Sequence, residues 1–331
     1  MADVYVGRAT DNHGELVAIK VIREELGSEP VYMRMFSDEA KLLSQLSHPN
    51  LVRHIEYGIA ADRRFLVMEL LAGRSLYEVW DALLVAKQGF PFKVAAFVCA
   101  RVADGLHAAH ELCDERGHSL SVIHRDVNPA NVFLTLDGQV KLIDFGLAKA
   151  RYRRSATTKG IIKGKVPYIA PEQIRGAEID RRVDLFALGT TLYEMSTMQR
   201  LFKRETDLET IRAIGECHVP DPRTYAPTYP DGLFAVVLHA LKKDPDERYA
   251  TAAEMAYDLD DFVGPEVDMR GELSALMTLL FPEDAAKHAS WTRDAIQTRV
   301  LATVAPPPAP VMNDVSIEIL YEEDIILEED E

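Results

Sequence analysis

After Gly73 the hydrophobic pattern of this chain changes period, and few architectures accommodate that change. Before it, short stretches rich in β-branched residues alternate with turn-formers. DVYVGRAT at 3–10 and LVAIKVI at 16–22 flank Asp11-Asn12-His13-Gly14, which reads as a hairpin turn. Residues 30–46 have helical spacing, with Ser28 as an N-cap candidate and Pro30 near the first turn, and His48-Pro49-Asn50 ends the pattern. LVRHIEY at 51–57 and RFLVMEL at 64–70 read as two more strands. Beyond Gly73 the spacing is mostly helical: a long apolar helix at 92–112, then patterns near 184–199, 207–214, 231–243 and 267–281. Residues 121–146 interrupt this with two short strands, VFLTL and QVKLI, around Asp137-Gly138. The expected fold class is α+β: a small antiparallel β-sheet lobe with one helix (about 1–70), then a larger, mainly helical lobe (about 71–263). A helical extension over 264–300 follows, then a Pro-rich linker and acidic tail over 301–331, expected to be disordered. The tail alternates weakly, which leaves an edge strand as the other reading.

Composition excludes several classes. A net charge of −16 argues against a protein that tracks nucleic acid or anionic lipid. The charge is uneven, since Lys149 to Lys165 is basic while Asp314 to Glu331 holds nine acidic residues and no basic one. No stretch approaches the roughly 18 consecutive apolar residues of a membrane span, and the N-terminus lacks a signal-peptide core. Cys99, Cys113 and Cys217 form no CxxC pair and are expected to be buried apolar thiols in a reducing compartment. The chain is accordingly expected in the cytoplasm.

Chemistry concentrates in a few clusters. His124-Arg125-Asp126 is followed by Asn131, five residues beyond the aspartate. A carboxylate there can orient a hydroxyl and take its proton, and an amide oxygen on the same loop can hold a hard cation. Asp144-Phe145-Gly146 follows a strand: the aspartate is a second oxygen ligand and Gly146 permits a sharp turn. Upstream, Val17-Ala18-Ile19-Lys20 places a lysine on a strand, and Glu39 falls within the following helix, where it could hold the ammonium. Downstream come Ala170-Pro171-Glu172, Asp184 in DLFALG and Arg248 in DPDERY. Positioned cation, metal ligands and oriented nucleophile are the parts that phosphoryl transfer needs.

In this order VAIK, HRDVNPAN, DFG, APE and DxxxxG resemble the protein-kinase signature set, from about Asp3 to about Val263. The loop form is similar to bacterial Ser/Thr kinases of the eukaryotic-like type. The resemblance implies ATP and Mg²⁺ (or Mn²⁺) as cofactors, protein substrates, and a homodimer for autophosphorylation in trans. It implies Asp126, Lys20, Glu39 and Asn131 as catalytic residues, with Asn131 and Asp144 on the metal. Val4, Ala18 and Phe133 would wall the adenine, with Met68 as gatekeeper and Glu69 to Leu71 as hinge. Glu172 and Arg248 would form a buried ion pair, and Leu43, His124 and Phe145 would stack as a spine.

Three positions depart from the family. Val4 matches the valine of G-x-G-x-x-G-x-V, so Ala2 stands at the third glycine and the first two would precede Met1. The first strand and most of the phosphate lid are therefore expected to be missing, leaving a bare sheet edge, with Met1 internal to a longer reading frame. Asn128 stands at the usual lysine of HRDxKPxN, and Gly164-Lys165 replaces the usual Gly-Thr before APE. Lys165 is expected either to reach Asp126 and supply the charge Asn128 lacks, or to face solvent or substrate. Thr157 and Thr158, with Ser155 behind them, are the candidate activation-loop phosphosites. Their phosphates would be received by Arg125 and the basic run. The leading reading is an autophosphorylating serine/threonine kinase; the alternative is a pseudokinase or truncated scaffold.

Overall fold

The structure is a computed structural model that describes residues 2–9, 15–22, 44–60, 63–145, 166–265, 267–290 and 317–322. The chain divides into two compact units: residues 1–47, 52–73 and 281–331 form the first, and 48–51 with 74–280 form the second.

The first unit is an antiparallel sheet. Strands β1 (Ala2–Ala9) and β2 (Leu16–Ile22) form the expected hairpin, and β3 (His54–Ala60) and β4 (Arg63–Glu69) form another. β3 begins three residues later than the apolar pattern suggests. Leu51 is taken up instead by a parallel bridge to Leu142. The period of two sorts β2 cleanly. Val17, Ile19 and Val21 pack with Phe65 and Val67 into the core, with Tyr5 against them. Ala18 and Lys20 therefore point to the other face.

The strand order is β3-β4-β2-β1-β8, where β8 is Ile317–Glu322. Two expectations are corrected here. The edge beside β1 is not bare, and this part of the tail is not unstructured: β8 pairs antiparallel with β1 from Ala9↔Ile317 to Tyr5↔Glu322, with a register shift at Val6/Gly7. The alternation in SIEILYE carries the strand, and an open ladder of N–H and C=O groups on β1 gives it a partner.

The second unit opens with β5 (Gly73–Ser75) and α1 (Leu76–Val85). Ser75 and Glu78 close a reciprocal capping box there. α2 (Phe92–His110) buries Val98, Cys99, Val102 and Leu106. β6 (Val132–Thr135) and β7 (Val140–Leu142) are the hairpin expected around Asp137-Gly138, and they join β5 in a second sheet. α3 (Pro171–Ile174) is a single turn. α4 (Arg182–Thr197) is buried on every side from Val183 to Thr197. Its hydroxyls are satisfied within the helix, as Thr190, Thr191, Ser196 and Thr197 all donate to carbonyls four residues earlier. α5 (Asp207–Glu216) and α6 (Asp231–Ala240) follow. α7 (Ala252–Val263) has no counterpart in the spacing analysis, although Thr251 caps it through the Glu254 N–H. α8 (Met269–Leu280) matches the helix expected near 267–281. Cys99 is buried, but Cys217 is half-buried and Cys113 is exposed, correcting the expectation for those two thiols; Cys113 lies on a turn where it bridges Ser119. No helix among the described residues is long and apolar enough to cross a membrane.

Candidate active site

Asp126 sits on a loop held from below by Asp184. One carboxylate oxygen of Asp184 accepts the backbone N–H of Arg125 at 2.7 Å. The other accepts the N–H of His124 at 2.8 Å and meets Nε2 of His110 at 2.8 Å. Burial acts first to raise the pKa of Asp184. The His110 hydrogen bond and charge and the backbone donors outweigh it, so the carboxyl ends below its usual range. The constraint matters because Arg125 has a φ of 65°, a left-handed value that a side chain disfavours; Asp144, at a φ of 52°, is a second such residue.

His124 is fully buried, and burial holds its imidazole below the usual pKa. Its tautomer follows from its partners. The Asp126 N–H donates to Nδ1 at 3.3 Å, so the proton lies on Nε2, which donates to the Ile143 carbonyl at 3.3 Å. The ring packs on Phe145 at 4.5 Å between centroids, which joins the loop bearing Asp126 to the segment bearing Asp144. Of the expected spine, these two members touch; Leu43 lies outside the described residues.

Within the loop, Asn131 Nδ2 donates to the Asp126 carbonyl at 2.7 Å and to its carboxylate Oδ2 at 3.0 Å. The amide nitrogen is thus committed to Asp126, which leaves the amide oxygen as the free end of that side chain. Asn128 is turned inward and 1% exposed. It donates to the Asp126 carbonyl at 2.7 Å and accepts the Ala130 N–H at 3.0 Å, capping the turn Pro129–Asn131. In place of the family's lysine the chain therefore has a neutral brace. Ile143 N–H donates to the Asn131 carbonyl at 2.9 Å, so the ends of β6 and β7 are tied directly at the two prospective metal ligands.

The residues present fit a hard divalent cation. The donors are one carboxylate and one amide oxygen, and no cluster of three or more His, Cys, Asp or Glu exists among the described residues. Mg²⁺ is commonly held by one or two protein ligands with substrate phosphates completing its shell.

In the first unit, cross-strand register places Lys20 opposite Val4 and Leu66, and Ala18 opposite Val6 and Met68. Directly opposed residues share a face, so Val4, Ala18, Lys20 and Met68 lie together on the face opposite the cluster of Val17, Ile19 and Val21. Glu69 and Leu71 follow at the end of β4, and the Glu69 carboxylate accepts the Arg53 N–H at 2.8 Å. Phe133 lies on β6, half-buried. Glu39, Gly146, Ser155, Thr157, Thr158 and Lys165 lie outside the described residues.

Glu172 and Arg248 form the expected pair, bidentate at 2.7 and 2.8 Å, with the Arg248 side chain fully buried. Sequence reasoning missed a second cluster. Tyr168 donates to Glu194 at 2.8 Å, and Arg200 donates to both at 2.8 Å while lying 4.2 Å from the Trp80 ring. It anchors the turn Val166–Tyr168 just before Ala170-Pro171-Glu172. His110 was missed as well, since a lone histidine at a helix end carries no motif.

A loop of this form, followed by a hairpin leading to Asp-Phe-Gly, is what a protein-kinase helical lobe carries. The protein kinase domain model matches residues 1–258, and the chain belongs to that family. It is 39% identical over 275 residues to the tyrosine-protein kinase MasK of Myxococcus xanthus, covering 82% of this chain and 43% of that protein. It is 33% identical over 268 residues to the serine/threonine-protein kinase PknB of Mycolicibacterium smegmatis, covering 78% and 40%. The chain thus spans less than half the length of these curated relatives. The crystal structure of the Mycobacterium tuberculosis PknI kinase domain shares the fold, with a TM-score of 0.59 at 24% identity, over 80% of this chain and 92% of that one.

Proposed function

We propose that this chain is an active serine/threonine protein kinase that transfers the γ-phosphoryl group of ATP to protein hydroxyls, its own activation loop included. The observation that carries the reading is the Asp126–Asn131 pair, hydrogen-bonded at 3.0 Å on a loop whose backbone Asp184 holds in place. Such preorganisation is what a reaction with little covalent chemistry requires of the protein.

Each side chain then has a role. Asp126 orients the acceptor hydroxyl and receives its proton as the new O–P bond forms and the bond from the γ-phosphorus to the bridging oxygen breaks, releasing ADP. Lys20 would supply positive charge to the α- and β-phosphates, and Glu39 is its proposed carboxylate partner. Asn131 and Asp144 would hold Mg²⁺, which when bound would neutralise charge on the phosphates. In the first unit, Val4, Ala18 and Met68 are the proposed adenine contacts, with backbone groups of Glu69 to Leu71 as its hydrogen-bonding partners; Phe133 is added on the kinase resemblance alone.

Serine/threonine acceptors are favoured by the HRDxxPAN form of the loop and by relatives named for that activity. Tyrosine is the second reading, favoured by the relative named as a tyrosine-protein kinase. Labelling the chain with γ-labelled ATP and hydrolysing it to phosphoamino acids separates them. Phosphothreonine or phosphoserine supports the proposal. Phosphotyrosine alone would move the assignment to tyrosine, and label equal to that of a Lys20→Met control would favour a pseudokinase.

A further inference from the structure

The β6–β7 hairpin joins Asn131, immediately before β6, to Asp144, two residues after β7. Its turn is gripped by α8, which lies beyond the matched family domain of 1–258. Arg270 donates through Nη2 to the Asp137 carboxylate at 2.5 Å and through Nε to the Asp137 carbonyl at 3.0 Å. One turn further along α8, Ser274 Oγ donates to the Leu136 carbonyl at 2.6 Å. Gly138 has a φ of 79°, and a Cβ there would overlap the Arg270 carbonyl oxygen, so helix and turn meet backbone to backbone. Met269, Leu273 and Met277, all buried and spaced by four, seat the helix. Within the turn, Asp137 also accepts from Thr135 and Gln139. The tip of the hairpin therefore has little freedom of its own.

We propose that α8 is a positioning clamp for the metal-holding residues. By fixing the turn at Leu136–Gly138 it sets the spacing of Asn131 and Asp144 at the other end of the hairpin, with Arg270 and Ser274 as positioning residues. The inference rests on the kinase reading for the meaning of those two ligands, but the restraint on the hairpin can be tested without it. Arg270 and Asp137 are both more than half exposed, so losing their ion pair costs little stability. The apolar stripe that seats α8 stays intact in such variants.

The test compares the full chain with Arg270→Ala/Ser274→Ala, with Gly138→Ala, which attacks the same contact from the hairpin side, and with Arg223→Ala, which removes exposed ion pairs to Asp221 and Asp231 elsewhere. Two quantities are read: amide hydrogen exchange across residues 132–144, and the Mg²⁺ concentration that half-saturates phosphoryl transfer. Both clamp variants are expected to speed exchange in the hairpin several-fold. They should also raise the Mg²⁺ midpoint about tenfold, the lower end for losing an outer partner of a metal ligand. Arg223→Ala should move neither, and Arg270→Lys should restore part of the loss. Unchanged exchange would overturn the clamp. Faster exchange with an unmoved Mg²⁺ midpoint would overturn its link to the ligands. A wild-type chain without turnover would sink the kinase reading instead, and exchange would still decide whether α8 restrains the hairpin.

Discussion

Asp184 accepts the backbone N–H of Arg125 at 2.7 Å, and Arg125 is the residue held at a φ of 65°. A left-handed arginine costs about 1–2 kcal/mol, and a buried carboxylate that also binds His124 N–H and His110 offsets it. Asp184→Asn keeps the shape but turns an amide N–H₂ toward one of these donors. It is expected to cost about 3–5 kcal/mol, as loss of a buried charge partner does, and to lower phosphoryl transfer sharply. Thermal melting with a transfer assay reads both effects; an unaltered melting temperature would contradict the role given to Asp184.

Stability should fall on mild acidification. His124 is buried neutral, with its folded-state pKa held below 6.5. Between that folded value and 6.5 the unfolded chain binds a proton that the folded chain does not, so stability decreases as pH falls below about 6.5. His48 is also lowered, chiefly by burial, and acts with the same sign. At lower pH, Asp184 adds a loss as pH drops from the ordinary carboxylate value toward its depressed one. Melting temperatures between pH 7.5 and 5 should therefore decline, with a shallower slope in His124→Asn. Parallel slopes would count against a buried neutral imidazole.

Asn128 is a brace in this chain, since both its amide ends are engaged within the loop. Asn128→Ala removes a turn cap and one tether on Asp126. The expected cost is about 1 kcal/mol in stability and about tenfold or more in turnover, because Asp126 is less well oriented. Turnover near wild type would show that Asn131 and Asp184 suffice to hold the aspartate.

Much of this was legible in the sequence. The β-rich run LVAIKVI was legible as a strand carrying Lys20, while the face it shares with Ala18 follows from the packing of Val17, Ile19 and Val21. The placement of Asp126, Asn131 and Asp144 on one loop and at the ends of one hairpin was legible from the short strands VFLTL and QVKLI between them. His110, Arg200 and Trp80 were not, since His110 meets Asp184 74 residues away and Arg200 meets Tyr168 32 residues away and the distant Trp80 ring, and only packing reveals such pairs. β8 was misread because tail composition favours disorder, while its stability depends on an edge supplied by β1, more than 300 residues earlier. α8 was foreseen as a helix, but its grip on Asp137 was not.

Shortening the chain to end before β8 should expose the outer ladder of β1. A lower melting temperature and concentration-dependent association, seen by sedentation velocity as added dimer or larger species, are the expected results. A shortened chain that stays monomeric and equally stable would mean that β8 contributes nothing to the sheet.

The central claim is that Asp126 serves phosphoryl transfer in this chain. Its most direct test is the intact mass of the purified protein after incubation with Mg²⁺ and ATP, beside Asp126→Asn. Added phosphates in the wild type alone, mapping to Thr157 or Thr158, are the predicted result. No mass gain in either protein, or equal gain in both, would contradict it.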